Sequence, residues 1–158
     1  MRLALGSYGD LGIRMDNLKS SLGPYCALTL ILLIGLFITQ NIVGRPRLVL
    51  WHQLYSSLLF LIILASAQEL FCRGYLMHVL KSVYKDAAVV VILDALFFAT
   101  AHVIFFTHWQ ILIPEAFLAG IAFATVYYYY PNVILASLVH SILNLAVIPL
   151  CYFALVSC

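Results

Sequence analysis

Charged side chains are scarce in this sequence. Lys, Arg, Asp and Glu make up 9% of the 158 residues, whereas 65% are hydrophobic. A soluble domain carries about a quarter charged residues to coat its surface, so the composition argues against a soluble fold. The mean hydropathy of +1.09 predicts an integral membrane protein, with the lipid bilayer as its surroundings. The formal net charge is +2 and no block of like charges occurs, so nucleic acid is not an expected partner.

The sequence also lacks the pattern of a membrane barrel and that of a disulfide framework. The apolar runs do not alternate with polar residues, as the strands of a membrane barrel do, so an all-α bundle is predicted. The cysteines do not suggest a disulfide framework, because Cys26, Cys72 and Cys151 lie inside apolar runs, where a thiol behaves as a small hydrophobic group.

Five apolar runs, separated by polar, Pro or Gly breaks, predict five membrane helices in a multi-pass protein, which would lie in the cell membrane if the source is prokaryotic. The chain has room for roughly five spans of about 20 residues and for no separate soluble domain. The predicted bounds are residues 24–43, 51–80, 87–106, 111–130 and 133–155. Residues 1–22 mix basic and apolar side chains and are expected to lie at the headgroup level. Residues 23–158 are expected to form a single helical domain.

The positive-inside rule predicts that the N-terminus is cytoplasmic. This orientation places most basic residues on the cytoplasmic side: Arg2, Arg14, Lys19, Lys81 and Lys85.

Polar side chains nevertheless interrupt three of the apolar runs. An ionisable group at mid-bilayer costs about 2.5 to 3.5 kcal/mol, so each needs a partner or a cavity. These residues form three pairs at a spacing of four: Glu69 and Arg73, Phe98 and His102, and His140 and Asn144. Residues four apart share one helix face, so three inward faces would enclose a polar pocket. Gln68 points about 100° away from Glu69 around the helix and faces a different neighbour.

The order and spacing of these residues resemble the CAAX protease and bacteriocin-processing family, also called CPBP or Abi. Its members carry Glu-Glu-x-x-x-Arg, Phe-x-x-x-His and His-x-x-x-Asn on successive helices. The matching positions here are Gln68, Glu69, Arg73, Phe98, His102, His140 and Asn144. The resemblance runs from Leu11 to Asn144. It implies a membrane-embedded glutamic-type peptidase, related to CAAX prenyl protease 2, that acts on a membrane-associated peptide or protein without a cofactor.

The resemblance also implies roles for these residues. The first Glu of the motif and His102 would activate a water, and His140 with Asn144 would stabilise the oxyanion. In this chain the first Glu is Gln68, and a carboxamide cannot accept the proton of the water. General-base help contributes about 100- to 10,000-fold, so the chain is expected to be an impaired protease.

Three explanations for Gln68 are open: an introduced inactivating substitution, a natural change in a binding or scaffolding member, or transfer of the base role to Glu69. The last ranks lowest, because Arg73 beside Glu69 makes that carboxylate a weak base. The non-enzyme alternative is a membrane scaffold or bacteriocin-immunity-type protein that uses the same pocket. A small transporter or proton relay would show paired broken helices, which the sequence does not indicate.

A zinc site at Glu69, His102 and His140 is the minority chemical alternative, although no H-E-x-x-H motif is present.

Two further carboxylates receive structural interpretations. Asp94 lies about 12 Å from His102 along its helix, and is interpreted as a secondary pocket or helix-contact residue. Glu115, placed in the first turn of the fourth helix, is explained by the helix dipole. The oligomeric state stays open.

Overall fold

The computed structural model describes residues 8–43, 51–102 and 109–147, and most residues in these ranges are helical. No strand occurs within them, which confirms the predicted all-α fold. A short 3₁₀ turn at Tyr8–Leu11 precedes the helices. The helical segments are α1 Leu18–Val43, α2 Trp51–Glu69, a π-helical segment Leu70–Leu76, α3 Met77–Val83, α4 Ala87–His102, α5 Trp109–Tyr129 and α6 Val133–Val147.

The observed helix bounds differ from the predicted ones at two starts. Helix α1 begins at Leu18 and continues through Pro24, whereas the sequence suggested a start at the proline. A proline removes one helical hydrogen bond, and here the helix extends beyond it on the N-terminal side. Helix α5 begins at Trp109 and contains Pro114. The predicted ends at residues 106 and 155 lie outside the described residues.

Helix α2, the π-helical segment and α3 follow one another without a break. At the end of the π-helical segment, the Met77 N–H donates to the Cys72 carbonyl, which is the i to i+5 pattern of a widened turn. Such turns are rare and often occur at functional sites. Here the widened turn begins directly after Glu69 and contains Arg73. Tertiary contacts, rather than the apolar pattern, select this geometry, so the sequence prediction of a plain helix missed it.

Within the part of the chain that the structure describes, two helical stretches are long and apolar enough to cross a membrane, Leu18–Thr39 and Leu58–Val83. Only 17% of the most apolar window of the first is buried, and 33% of that of the second. A core helix of a soluble protein would bury most of such a window. Large apolar side chains instead face outward, for example Phe37 at 65% exposure and Leu59 at 67%. Together these observations suggest lipid as the surrounding solvent.

The interior is built from two apolar clusters. One joins α1, α5 and α6 and contains Tyr25, Leu28, Phe123, Leu135, Ala136 and Val139. The other joins α3, α4, α5 and the start of α6, and contains Met77, Leu80, Val90, Ala124, Tyr127 and Val133.

Helices α4 and α5 approach closely at Gly120. A Cβ at Gly120 would lie 3.1 Å from the Ala95 Cα, so a larger residue would separate the two helices. The approach brings the backbone of α5 within reach of Arg73.

The segment preceding α1 is tied to the turn between α5 and α6. The Asn132 side-chain amide donates to the Arg14 carbonyl and to Asn17 Oδ1, both at 2.9 Å. Asn132 Oδ1 also accepts from the Leu135 N–H at 3.0 Å and so caps α6. This network holds one end of the bundle together and fixes the start of the helix that carries His140.

Candidate active site

Arg73 lies at the centre of the polar residues and is fully buried. Its Nε is 3.3 Å from Glu69 Oε2, and its Nη2 donates to the Gly120 carbonyl at 3.4 Å. The rings of Phe98 and Phe123 lie 4.2 and 5.2 Å from the guanidinium carbon. An unpaired charge at this depth would be very costly. The ion pair and the two aromatic faces make the cation tolerable there.

Asp94 belongs to the same cluster and contacts another helical segment, which agrees with its interpretation as a helix-contact residue. That interpretation measured its distance to His102 along α4. The structure places Asp94 Oδ2 3.5 Å from Arg73 Nε. The Asp94 side chain is fully buried, and neither of its oxygens accepts a hydrogen bond from the described residues. Arg73 therefore serves two carboxylates, Asp94 and Glu69.

Glu69 links this cluster to α6. His140 Nδ1 lies 2.7 Å from Glu69 Oε1, and both side chains are buried, with 4% and 0% of their surface exposed. An ionised carboxylate can only accept a hydrogen bond, so the imidazole donates through Nδ1. Oε1 of Glu69 thus accepts from His140 and, at 3.5 Å, from Arg73 Nη1, while Oε2 faces Arg73 Nε. The structure assigns Glu69 two partners, which leaves it poorly suited to accept a proton from water.

Gln68 faces a different histidine. Its Nε2 lies 3.3 Å from His102 Nδ1, and the same Nδ1 lies 2.7 Å from the Phe98 carbonyl. A carbonyl can only accept, so His102 donates to Phe98 through Nδ1 and keeps Nε2 as the acceptor nitrogen of the neutral ring. The predicted difference in direction between Gln68 and Glu69 is therefore seen: the first contacts α4 and the second contacts α6.

The two histidines share one aromatic wall. Their ring centroids are 6.0 Å apart, and the Phe98 ring lies 4.5 Å from His102 and 5.5 Å from His140. Phe123, which the sequence analysis did not single out, lies 5.9 Å from His140. A core phenylalanine in an apolar run carries no signal that separates it from its neighbours. Only the packing of α5 identifies it as part of the wall.

A cavity of about 470 Å³ opens beside this wall. Helices α1, α4, α5 and α6 line it, and His102, His140 and Asn144 are its polar contributions from α4 and α6. The remaining lining is mostly aliphatic. The arrangement can hold a water and an extended apolar ligand next to two imidazoles and a carboxamide.

Among the six predicted site residues, the structure brings five into direct contact in two sets. Glu69, Arg73 and His140 form one set, and Gln68 with His102 forms the other. Asn144 lies one turn after His140 and lines the cavity. Their catalytic roles remain predictions.

The minority zinc hypothesis does not fit this geometry. Across the described parts of the chain, no group of three His, Cys, Asp or Glu side chains is arranged to hold a metal ion. Glu69 is already paired with the Arg73 cation, and His102 directs Nδ1 at a backbone carbonyl. A zinc ion bound by Glu69, His102 and His140 would have to compete with the Arg73 cation for the Glu69 carboxylate.

Comparisons with known proteins identify one family. The model of the type II CAAX prenyl endopeptidase Rce1-like family matches residues 50–146, more than half of the 158-residue chain and all of its motif positions. The comparisons with curated proteins and with solved structures gave no match. Because the family match begins at residue 50, the resemblance of Leu11 to Lys19 stays a prediction. The chain belongs to the type II CAAX prenyl endopeptidase Rce1-like family.

Proposed function

We propose that this chain is an intramembrane endopeptidase fold of the CPBP type, which binds a membrane-associated peptide and hydrolyses it weakly, if at all, because of Gln68. The observation that carries the proposal is the pairing across helices. Position 68 contacts His102, and Glu69 contacts His140, beside a single cavity. The family membership supports peptide-bond hydrolysis as the reaction.

The first step of the proposed reaction is activation of water between position 68 and His102. A carboxylate at position 68 would take the proton of a water that His102 orients through its acceptor nitrogen. The hydroxide would then attack the carbonyl carbon of the scissile peptide bond, and the proton would pass to the leaving amine. Gln68 can hydrogen-bond the water but cannot take its proton, so the chain lacks this step.

The second step is stabilisation of the oxyanion by His140 and Asn144. His140 already donates Nδ1–H to Glu69, so it can donate to an oxyanion only through Nε2–H, as an imidazolium. The Glu69 carboxylate would neutralise that charge. In this scheme Glu69 and Arg73 are positioning residues, because they act on the oxyanion through His140 and make no contact with the substrate.

We further propose a multi-pass protein in a lipid bilayer with a cytoplasmic N-terminus. The support is the outward-facing apolar surface of α1 and α2 and the family membership. The proposed reaction uses no metal, because the Glu69 carboxylate is paired with the Arg73 cation.

A scaffold that binds a peptide without cleaving it is the second candidate, and Gln68 is the observation that favours it. Such a protein would retain an uncleaved partner, and His102→Ala would release that partner. Gln68→Glu would produce no turnover in this case.

The experiment that tests the proposed function concerns Asn144. In a Gln68→Glu background reconstituted into liposomes, Asn144→Ala should lower kcat for a prenylated CAAX peptide on the order of 100-fold. An oxyanion donor acts mainly in the transition state, so KM should change little.

Asn41→Ala is the matched control for Asn144→Ala. Asn41 is exposed on α1, and among the described residues its side chain donates to the Phe37 carbonyl of its own helix, so its replacement should leave the rate unchanged. Equal rates for the two variants would argue against an oxyanion role for Asn144.

A further inference from the structure

Glu115 stands out in the cavity wall because it is a carboxylate in mostly aliphatic surroundings. It lies on α5 and faces the cavity that also contains His102 and His140. The Thr39 hydroxyl of α1, which also lines the cavity, hydrogen-bonds the Glu115 carboxylate. Among the described residues that line the cavity, Glu115 is the one acidic side chain.

The helix dipole does not account for Glu115. Because α5 begins at Trp109, Glu115 lies in its second turn, and the dipole effect falls off within the first turn. The sequence interpretation relied on a later start of this helix and is wrong on this point. An ionisable side chain within an apolar span is costly and usually marks a ligand or ion contact. The Thr39 hydroxyl gives Glu115 one hydrogen bond from a neutral group. Among the described residues, no cation forms an ion pair with the Glu115 carboxylate.

The position of Glu115 along α5 sets its distance from the reaction centre. It precedes Phe123 by eight residues, which corresponds to about 12 Å of helical rise. The Phe123 ring lies 5.9 Å from the His140 ring. An extended peptide advances about 3.3 Å per residue, so three or four residues cover the interval between the histidines and Glu115.

We propose that Glu115 selects substrates that carry a Lys or Arg side chain three or four residues from the scissile bond, within an otherwise apolar segment. The inference rests on the proposed function only in taking the histidine end of the cavity as the place of cleavage. A basic side chain would donate charge-assisted hydrogen bonds to Glu115, while its aliphatic stem would contact the apolar wall. An acidic residue at the same place would be repelled.

The test is a binding measurement that requires no turnover. The full chain with Gln68 is embedded in phosphatidylcholine nanodiscs, whose lipid has no net charge, and titrated with three fluorescent apolar peptides. The peptides differ at one position, which holds Lys, Gln or Glu. We expect the Lys peptide to bind about 10-fold tighter than the Gln peptide, as one charge-assisted hydrogen bond allows, and the Glu peptide to bind weaker than both.

Glu115→Gln should remove the preference for the Lys peptide over the Gln peptide, and Glu115→Lys should reverse it. Asp16→Asn is the matched control, because it removes an exposed carboxylate outside the cavity, and the preference should survive it. Equal affinities for the three peptides, no binding of any peptide, or a preference that persists in Glu115→Gln would overturn the inference. A Glu115-dependent preference together with no cleavage after Gln68→Glu would instead refute only the proposed peptidase function.

Discussion

Gln68→Glu should raise the rate of peptide hydrolysis by about 100- to 10,000-fold, the range that general-base help contributes in other enzymes. The reason for the expected increase is the position of this side chain beside His102. The position-68 side chain already lies 3.3 Å from His102 Nδ1, and the replacement changes a carboxamide into a proton-accepting carboxylate of nearly the same shape. No other contact needs to move. The measurement is cleavage of a prenylated CAAX peptide by the two forms in liposomes.

Two controls isolate the base role of position 68. Gln68→Ala should remain at the background rate, because it supplies no proton acceptor. His102→Ala in the Gln68→Glu background should return the rate towards background, because the water would lose its second contact. Equal cleavage by the original chain and by Gln68→Glu would show that position 68 is not the base position. A retained, uncleaved partner in that case would favour the scaffold.

Arg73→Met should lower the free energy of unfolding by about 3 to 5 kcal/mol, the cost of removing one partner from a buried ion pair. Arg73 is fully buried, and its loss would leave both Glu69 and Asp94 without their cation. Methionine fills much of the same volume and can pack against Phe98 and Phe123, so the cost would reflect charge more than a cavity. The measurement is denaturant unfolding in detergent micelles followed by circular dichroism.

The exposed pair of Arg14 and Asp16 provides the matched control. Arg14 Nη2 lies 2.6 Å from Asp16 Oδ2, and its guanidinium holds the pKa of the Asp16 carboxyl below its ordinary value. Because this pair is exposed to solvent, Arg14→Met should lower the free energy of unfolding far less than Arg73→Met does.

Neutralising the whole buried cluster provides a second comparison. The triple change Glu69→Gln, Arg73→Met and Asp94→Asn should recover part of the stability lost in Arg73→Met, since no buried charge would be left unpaired. If Arg73→Met were no more destabilising than Arg14→Met, Arg73 could not be the buried centre of the cluster.

The sequence predicted the parts of the site that depend on spacing along one helix. Phe98 lies under the His102 ring, and Glu69 pairs with Arg73, because residues four apart share a helix face. The cost of buried charge then predicted that these faces meet, and the contacts of Gln68 with His102 and of Glu69 with His140 agree with that expectation.

Features that depend on contacts between helices could not be predicted in the same way. Asp94 was compared with His102 on its own helix, but its partner is Arg73 in the π-helical segment. Glu115 was explained by a helix start that the structure moves to Trp109. The π-helical turn itself leaves no mark in an apolar pattern, because its residues resemble those of the flanking helix.

The most direct test of the account is the distance between the imidazole rings of His102 and His140 in the lipid-embedded chain, measured by solid-state NMR on histidine-labelled protein. The account predicts ring centroids about 6.0 Å apart, on the wall of one cavity. Rings separated by a full helix diameter, about 10 Å or more, would contradict it, because the water beside His102 and the oxyanion donor His140 could then not act on one peptide bond.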